Sequence, residues 1–186
     1  MDGDRPEADE SELLQRAAVG DSAAFHKLID RHSGRLFRLA TQMVGSSADA
    51  EDVLQETFVG AFRGLKGFES RSSVKTWLTR ILLTQCARWR RERHRTKAQP
   101  IDALEGGAAI LAGGADQAQS VSHRLDLHAA LGQLSPEHRE VLMLREFESL
   151  SYDEIAAVLG VPRGTVESRL HRARAELRDK LKVYLP

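Results

Sequence analysis

Apolar positions along the chain recur mostly at intervals of three and four residues, and no stretch alternates apolar and polar positions over the length of a strand. The pattern predicts helices over about 11–19, 22–44, 48–65, 73–94, 124–133, 136–147, 152–159 and 162–182, which makes the fold all-α. Periodicity lapses between Thr96 and about Val121, where the chain reads TKAQPIDALEGGAAILAGGADQAQSV. Two Gly-Gly pairs and many alanines give that stretch the composition of a linker. The chain therefore divides into an acidic N-terminal segment (1–21), a helical domain (22–95), a flexible linker (96–123) and a second helical domain (124–186). Two domains of about 60–70 residues each bury only modest cores.

Charge changes this picture more than composition does. The chain of 186 residues has a formal net charge of zero, which by itself argues against a nucleic-acid partner. The distribution argues the other way. Arg71 to Lys97 holds nine basic residues against the single acid Glu92, and Arg163 to Lys182 holds seven against three. The balancing acids lie in the first twelve residues and between Asp49 and Glu56. Two basic clusters, each at the end of an amphipathic helix, suit contact with phosphates. Overall neutrality would limit unspecific DNA binding by the free protein. No apolar run reaches the roughly 18 residues of a membrane span, and the acidic start carries no secretory signal. With one cysteine, Cys86, an internal disulfide is impossible. These features lead to the expectation of a cytoplasmic protein without membrane insertion. The seven histidines show no ligand spacing, so no metal and no cofactor are expected. There is also no nucleophile–base pair or phosphate loop, so an enzyme is not expected.

The richest segment is LSYDEIAAVLGVPRGTVESRLHRARAELRDKL. Ser151 and Glu154 have the S-x-x-E spacing of a capping box that starts a helix at Tyr152. Gly160 is placed to end it in the left-handed conformation, and Pro162 suits the first turn of the next helix. Ile155 and Leu159 form a buried stripe, and Ala156 and Val166 supply small and core positions for a tight crossing. This is the grammar of a helix-turn-helix. In its second helix Val166, Leu170, Ala173 and Leu177 share one face. Gly164, Ser168, His171, Arg172 and Ala175 lie opposite, flanked near the start by Arg163, Thr165, Glu167 and Arg169. Small and polar residues toward the N-terminal end suit a helix pressed into a major groove, where arginine reads guanine. A plain helical hairpin would share the charge, but not the box, turn glycine and proline together. Ser135-Pro136-Glu137 opens a preceding helix with Val141, Leu142, Leu144 and Phe147 on its apolar side.

In the first domain, DAEDVLQETFVGAFRGLKGF reads as a helix with Leu54, Phe58, Ala61 and Leu65 inward, widened by Phe62. Asp52, Glu56, Val59 and Arg63 lie opposite, with Gln55 at the edge, and a valine among acids suggests a protein contact. Phe68 to Ser73 is a polar turn in which Ser72 or Ser73 can cap the following helix. That helix turns Val74, Trp77, Leu78 and Ile81 inward and ends in arginines around Trp89, which is placed to be exposed and to stack on a base. Cys86 reads as a partly buried thiol.

The strings AEDVLQETFVGAF, FESRSSVKTWLTRI and SYDEIAAVLGVPRGTVESRLHRARAEL, in this order, resemble the sigma-70 family, specifically its extracytoplasmic-function branch. The resemblance covers about 22–94 and 124–182 and implies a sigma-2-like domain and a sigma-4-like domain joined by a flexible linker. It implies that Asp52, Gln55, Glu56 and Val59 meet the clamp helices of the RNA polymerase β′ subunit, and that the second domain touches the β flap. It implies that Phe68, Glu69, Ser70, Arg71, Ser72, Ser73, Lys75, Arg80 and Arg88 serve single-stranded −10 promoter DNA, one base of which is flipped into a pocket. It implies that Arg163, Gly164, Thr165, Glu167, Ser168, Arg169, His171 and Arg172 read the −35 duplex. Control by an anti-sigma factor is a further implication. The chain departs from the family where many relatives carry Asn and Asp in the basic helix and it has Thr84 and Arg88, and where Trp is common and it has Phe62. A stand-alone regulator with the same helix-turn-helix and a sensor in its first half would need neither the acidic face nor the Trp-containing basic helix; a protein-interaction adaptor that titrates an inhibitor is a second alternative.

Overall fold

The computed structural model describes residues 5–68, 72–97, 127 and 129–182, and among them no strand is formed. The chain divides into two compact units.

The first unit is built from α1 (Arg5–Ala18), α2 (Ser22–Val44), α3 (Ser47–Gly64) and α4 (Val74–Lys97), with a 3-10 turn at Leu65–Gly67. Helix α2 is central and packs on α1, α3 and α4. It starts where the Asp21 carboxylate accepts from the Ala24 N–H at 3.0 Å and stops at Gly45, whose φ of 81° is the left-handed conformation. Its buried residues Ala24, Phe25, Leu28, His32, Leu36, Leu39, Ala40 and Met43 follow the helical repeat. Helix α1 begins at Arg5, six residues earlier than periodicity indicated, because its first turns carry acids rather than an apolar stripe. It buries Leu13, Leu14 and Ala17 and packs on α2. The ion pair Arg31–Asp9 and the approach of His32 Nε2 to Glu10 Oε1 at 3.3 Å join the two helices.

Helix α3 is capped by Ser46, and its buried face is Ala50, Val53, Thr57 and Ala61. Leu54 and Phe58, expected in the core, are half-buried, and Phe62 is 59% exposed, its ring tilted 59° against Phe25 at 5.3 Å between centroids. The inward face is rotated from the expected one because α3 is squeezed between α2 and α4, where only small residues fit. A Cβ on Gly60 would stand 3.2 Å from Ile81 Cγ2, and one on Gly64 would stand 3.4 Å from Trp77 Cζ2. The Thr57 hydroxyl, with no exposure, donates to the Val53 carbonyl at 2.7 Å and so costs little to bury.

Ser73, rather than Ser72, caps α4, its Oγ accepting from the Thr76 N–H at 3.1 Å. The helix buries Val74, Leu78, Leu82, Leu83 and Cys86. Ile81 is half-buried, and Cys86 is fully rather than partly buried, at 1% exposure. Trp77 is half-buried and helps close a void of about 10 Å³ with Phe25, Leu28, Phe58 and Val74. The helix runs on through Thr96 and Lys97, which the sequence placed in the linker. The remainder of that linker lies outside the described residues.

The second unit contains a helical stretch at 129–132, then α5 (Pro136–Leu142), a π-helical segment (Met143–Phe147), α6 (Tyr152–Leu159) and α7 (Arg163–Leu181). The expected helix over 136–147 is therefore two kinds of helix. The π segment inserts one residue into the repeat, so Met143 turns inward beside Val141, Leu142 and Leu144 while Phe147, expected in the core, is 57% exposed. Helix α7 packs on both α5 and α6 and buries Val166, Leu170 and Ala173, with Leu177 half-buried. Arg139 donates to the Leu131, Gly132 and Leu134 carbonyls, closing the end of the preceding helical stretch.

Candidate functional site

Two surfaces follow from these packings. The first stands over α6 and α7. Ser151 and Glu154 form both halves of the capping box: the Glu154 N–H donates to Ser151 Oγ at 3.2 Å and the Ser151 N–H donates to Glu154 Oε2 at 2.8 Å. Gly160 ends α6 with φ 66°, and Pro162 is the N-cap of α7, one place earlier than the first-turn position expected of it. Ile155 and Val166 have no exposure, so the two helices meet through a dry contact, while Leu159 and Ala156 are half-buried at its margin. With Val166, Leu170 and Ala173 held inward, Gly164, Glu167, Ser168, His171 and Arg172 are exposed on the other side, and Thr165 and Arg169 are half-buried between the two faces.

Arg163 is not free on this surface. Its Nε donates to Glu167 at 3.0 Å and its NH1 donates to both oxygens of Asp153, the shorter at 3.0 Å. The Glu167 hydrogen bond, followed by the charges of Asp153 and Glu167, raises the pKa of its guanidinium above the usual arginine value. These are exposed pairs, so water screens them and a phosphate can displace them at little cost. Arg172, by contrast, forms no ion pair among the described residues. Farther along α7, Arg174 pairs with Glu146 at 2.8 Å and His138 Nδ1 lies 3.1 Å from Glu176, which ties the helix back to the π segment and α5.

The second surface lies along α3 and α4. Asp52, Gln55, Glu56 and Arg63 are exposed and Val59 is half-buried. An open cleft of about 270 Å³ runs between the helices, lined by Asp52, Glu56, Gln85, Arg88, Trp89 and Glu92. Trp89 is held there rather than presented to solvent. Its Nε1 donates to Asp49 Oδ1 at 3.3 Å, Arg93 donates to Asp49 Oδ2 at 2.9 Å, and the Arg93 guanidinium lies 5.1 Å from the indole centroid. That ladder pins the far half of α4 to the first turn of α3. At the near end Phe68 packs on Trp77 at 4.9 Å between centroids, fixing one end of the polar turn. The Ser73 hydroxyl is committed to the cap and to Thr76 Oγ1 at 2.9 Å.

Comparison with known proteins decides the family. The family described as Sigma-70 region 2 matches residues 28–96, and the one described as Sigma-70, region 4 matches residues 124–177. The chain belongs to the sigma-70 family, as an extracytoplasmic-function (ECF) RNA polymerase sigma factor. It is 41% identical to the ECF RNA polymerase sigma factor SigE of Mycolicibacterium smegmatis, the match covering 88% of this chain and 65% of that relative. It is 36% identical to the ECF RNA polymerase sigma factor SigM of Mycobacterium tuberculosis, covering 94% of this chain and 86% of the other. Among solved structures it resembles the sigma factor RpoE of Bartonella quintana in complex with the anti-sigma factor NepR. That likeness has a TM-score of 0.69 and 29% identity, over 86% of this chain and 97% of that one.

In this sigma factor the α7 residues expected at the −35 element lie along one accessible surface of the second unit, half-buried only at Thr165 and Arg169. The residues expected at the −10 element do not form one group. Glu69, Ser70 and Arg71 lie outside the described residues. Phe68, Ser72, Ser73 and Lys75 gather at the start of α4, Arg80 is exposed farther along, and Arg88 falls in the α3–α4 cleft. Trp89, expected as an exposed stacking platform, is instead bound to Asp49. Val53, Gln85 and Glu92 are the cleft residues that sequence reasoning passed over. The i, i+4 spacing of Arg88 and Glu92 was the available signal, and the two are joined at 3.0 Å. Among the described residues no helix is long and apolar enough to cross a membrane, and no cluster of His, Cys, Asp and Glu is placed to hold a metal ion.

Proposed function

We propose that this sigma factor engages RNA polymerase core through the exposed face of α3, with Asp52, Gln55, Glu56 and Val59 against the β′ clamp helices. The second unit reads duplex −35 DNA through the N-terminal half of α7 and touches the β flap. The start of α4, with the Phe68–Ser73 turn, Lys75 and Arg80, holds the unpaired −10 strand. The observation that carries this reading is the separation of an exposed acidic helix face and an exposed polar and basic helix face onto two compact units. Such a chain does no chemistry of its own. Binding one promoter element raises the effective concentration of the other unit at the second. Capture of unstacked −10 bases then makes strand opening favourable.

Regulation by an anti-sigma factor belongs to the same proposal, and it is supported by the likeness to a sigma factor solved with one. An inhibitor that covers the α3 face or the α7 face would exclude core or promoter directly. Run-off transcription with purified polymerase core tests the whole reading. The doubly substituted chain Asp52→Ala, Gln55→Ala is expected to lose co-elution with core while keeping its helical circular dichroism. A wild-type chain that neither co-elutes with core nor yields a promoter-dependent transcript would sink the proposal.

A further inference from the structure

Read as sequence, α4 is one DNA-facing helix in which Arg88 continues the series Lys75, Arg80. The structure divides it. Arg88 lies thirteen residues beyond Lys75 and eight beyond Arg80, which at the helical rise places it about 20 Å and about 12 Å farther along the axis. Arg88 is on the side of α4 that faces α3. It shares the cleft with Asp52, Glu56, Gln85, Trp89 and Glu92, and its Nε donates to Glu92 Oε1 at 3.0 Å.

The charge of this cleft is not that of a DNA site. Asp49 and Arg93 neutralise one another. What remains is three carboxylates (Asp52, Glu56, Glu92) against the one guanidinium of Arg88, a net of −2. A cleft of about 270 Å³ is small enough that a phosphate brought to Arg88 would feel all three carboxylates within one Debye length of about 8 Å. A cation would be drawn in, and the indole of Trp89 provides an apolar wall for its stem.

We infer that the α3–α4 cleft is part of the polymerase-binding surface and accepts a basic side chain of the polymerase between Asp52, Glu56 and Glu92. Arg88 then partly screens Glu92 through their hydrogen bond, and it touches neither the −10 strand nor any other DNA. The inference rests on the proposal that α3 faces the polymerase core, and extends that surface onto α4.

Two exposed-site variants of the full chain test it, each checked for an unchanged thermal melt, with affinity for purified core measured by fluorescence titration. Glu92→Lys places a cation in the cleft and is expected to weaken core binding tenfold or more, the loss shrinking as salt is raised. Arg88→Ala leaves the cleft more acidic. It is expected to bind core at least as tightly as the wild-type chain and, in preformed holoenzyme, to open a promoter with less than a threefold loss. A smaller effect of Glu92→Lys, weaker core binding by Arg88→Ala, or a threefold or greater loss of opening by its holoenzyme, overturns the inference. Asp52→Ala with Gln55→Ala separates the two levels. If that chain binds core normally, the α3 reading has failed. If it loses core while Glu92→Lys does not, only the cleft assignment has failed.

Discussion

Leu170 offers a perturbation whose size can be worked out in advance. It is 1% exposed, in the middle of the stripe that α7 buries against α5 and α6. Replacing it by alanine removes apolar surface worth about 2 kcal/mol in transfer alone. The cavity term brings the expected loss to about 3–5 kcal/mol, since neighbours on two helices cannot collapse fully into the space. A unit of this size holds only about 3–5 kcal/mol of stability, so Leu170→Ala should leave it largely unfolded at room temperature. The chain supplies its own probe: both tryptophans, Trp77 and Trp89, lie in α4 of the first unit. Urea titration followed by tryptophan fluorescence should therefore give an unchanged transition, while far-ultraviolet circular dichroism loses the contribution of the second unit. The functional counterpart is retained core binding with loss of −35-dependent transcription. Leu170→Met, which nearly conserves volume, should cost less than about 1.5 kcal/mol. A fluorescence transition that moves with the dichroism would refute the independence of the two units. A loss below about 1 kcal/mol would refute the placement of Leu170 in the core.

Two further outcomes follow from the same geometry. Arg172→Ala should weaken use of a −35 element by about 1–3 kcal/mol, read as promoter affinity of holoenzyme, because Arg172 is exposed and forms no ion pair among the described residues; equal affinity for matched and mutated −35 elements in both chains would remove it from the base-reading set. Burial, aided by the charges of Arg35 and Arg31 and opposed by Glu10, lowers the pKa of His32 below its usual value, so the unfolded chain takes up this proton at higher pH than the folded one. The stability contributed is complete above the unfolded value of about 6.5 and is lost as pH falls through that value toward the folded one, with a slope of at most about 1.4 kcal/mol per pH unit. The urea midpoint by tryptophan fluorescence should fall between pH 7.5 and pH 5.5, and His32→Asn should flatten that change; a midpoint that rises on acidification would reverse the assignment.

The second unit was the more legible of the two. Its signals are local: Ser151 and Glu154 are three residues apart, and Gly160 and Pro162 punctuate a single turn, so nearest neighbours in sequence are the interacting partners. The first unit's face of α3 was misjudged by a residue. Hydrophobicity ranked Leu54, Phe58 and Phe62 above Thr57 and Gly60, but the partner helix selects for size at a close crossing, and a threonine can satisfy its hydroxyl within its own helix. Phe147 was misplaced for a related reason: one inserted π turn shifts every later side chain, and sequence periodicity assumes a constant repeat.

The surfaces divide along the same line. That α7 carries a polar, exposed face opposite Val166, Leu170 and Ala173 is a property of one helix, and the heptad-scale pattern of that helix was sufficient to place it. The charge environment of Arg88 is not a property of α4. In sequence it belongs to a run of arginines; in space its company is Asp52 and Glu56 from a helix more than thirty residues earlier, together with Trp89, turned inward by Asp49. The sequence by itself determined the all-α class, the two-part division, the caps and the polar face of α7, because those depend on neighbours within one or two helical turns. Only the tertiary structure decided which side of α4 meets acid and which meets solvent, because electrostatic potential sums over whatever folding brings near, and those carboxylates come from another helix.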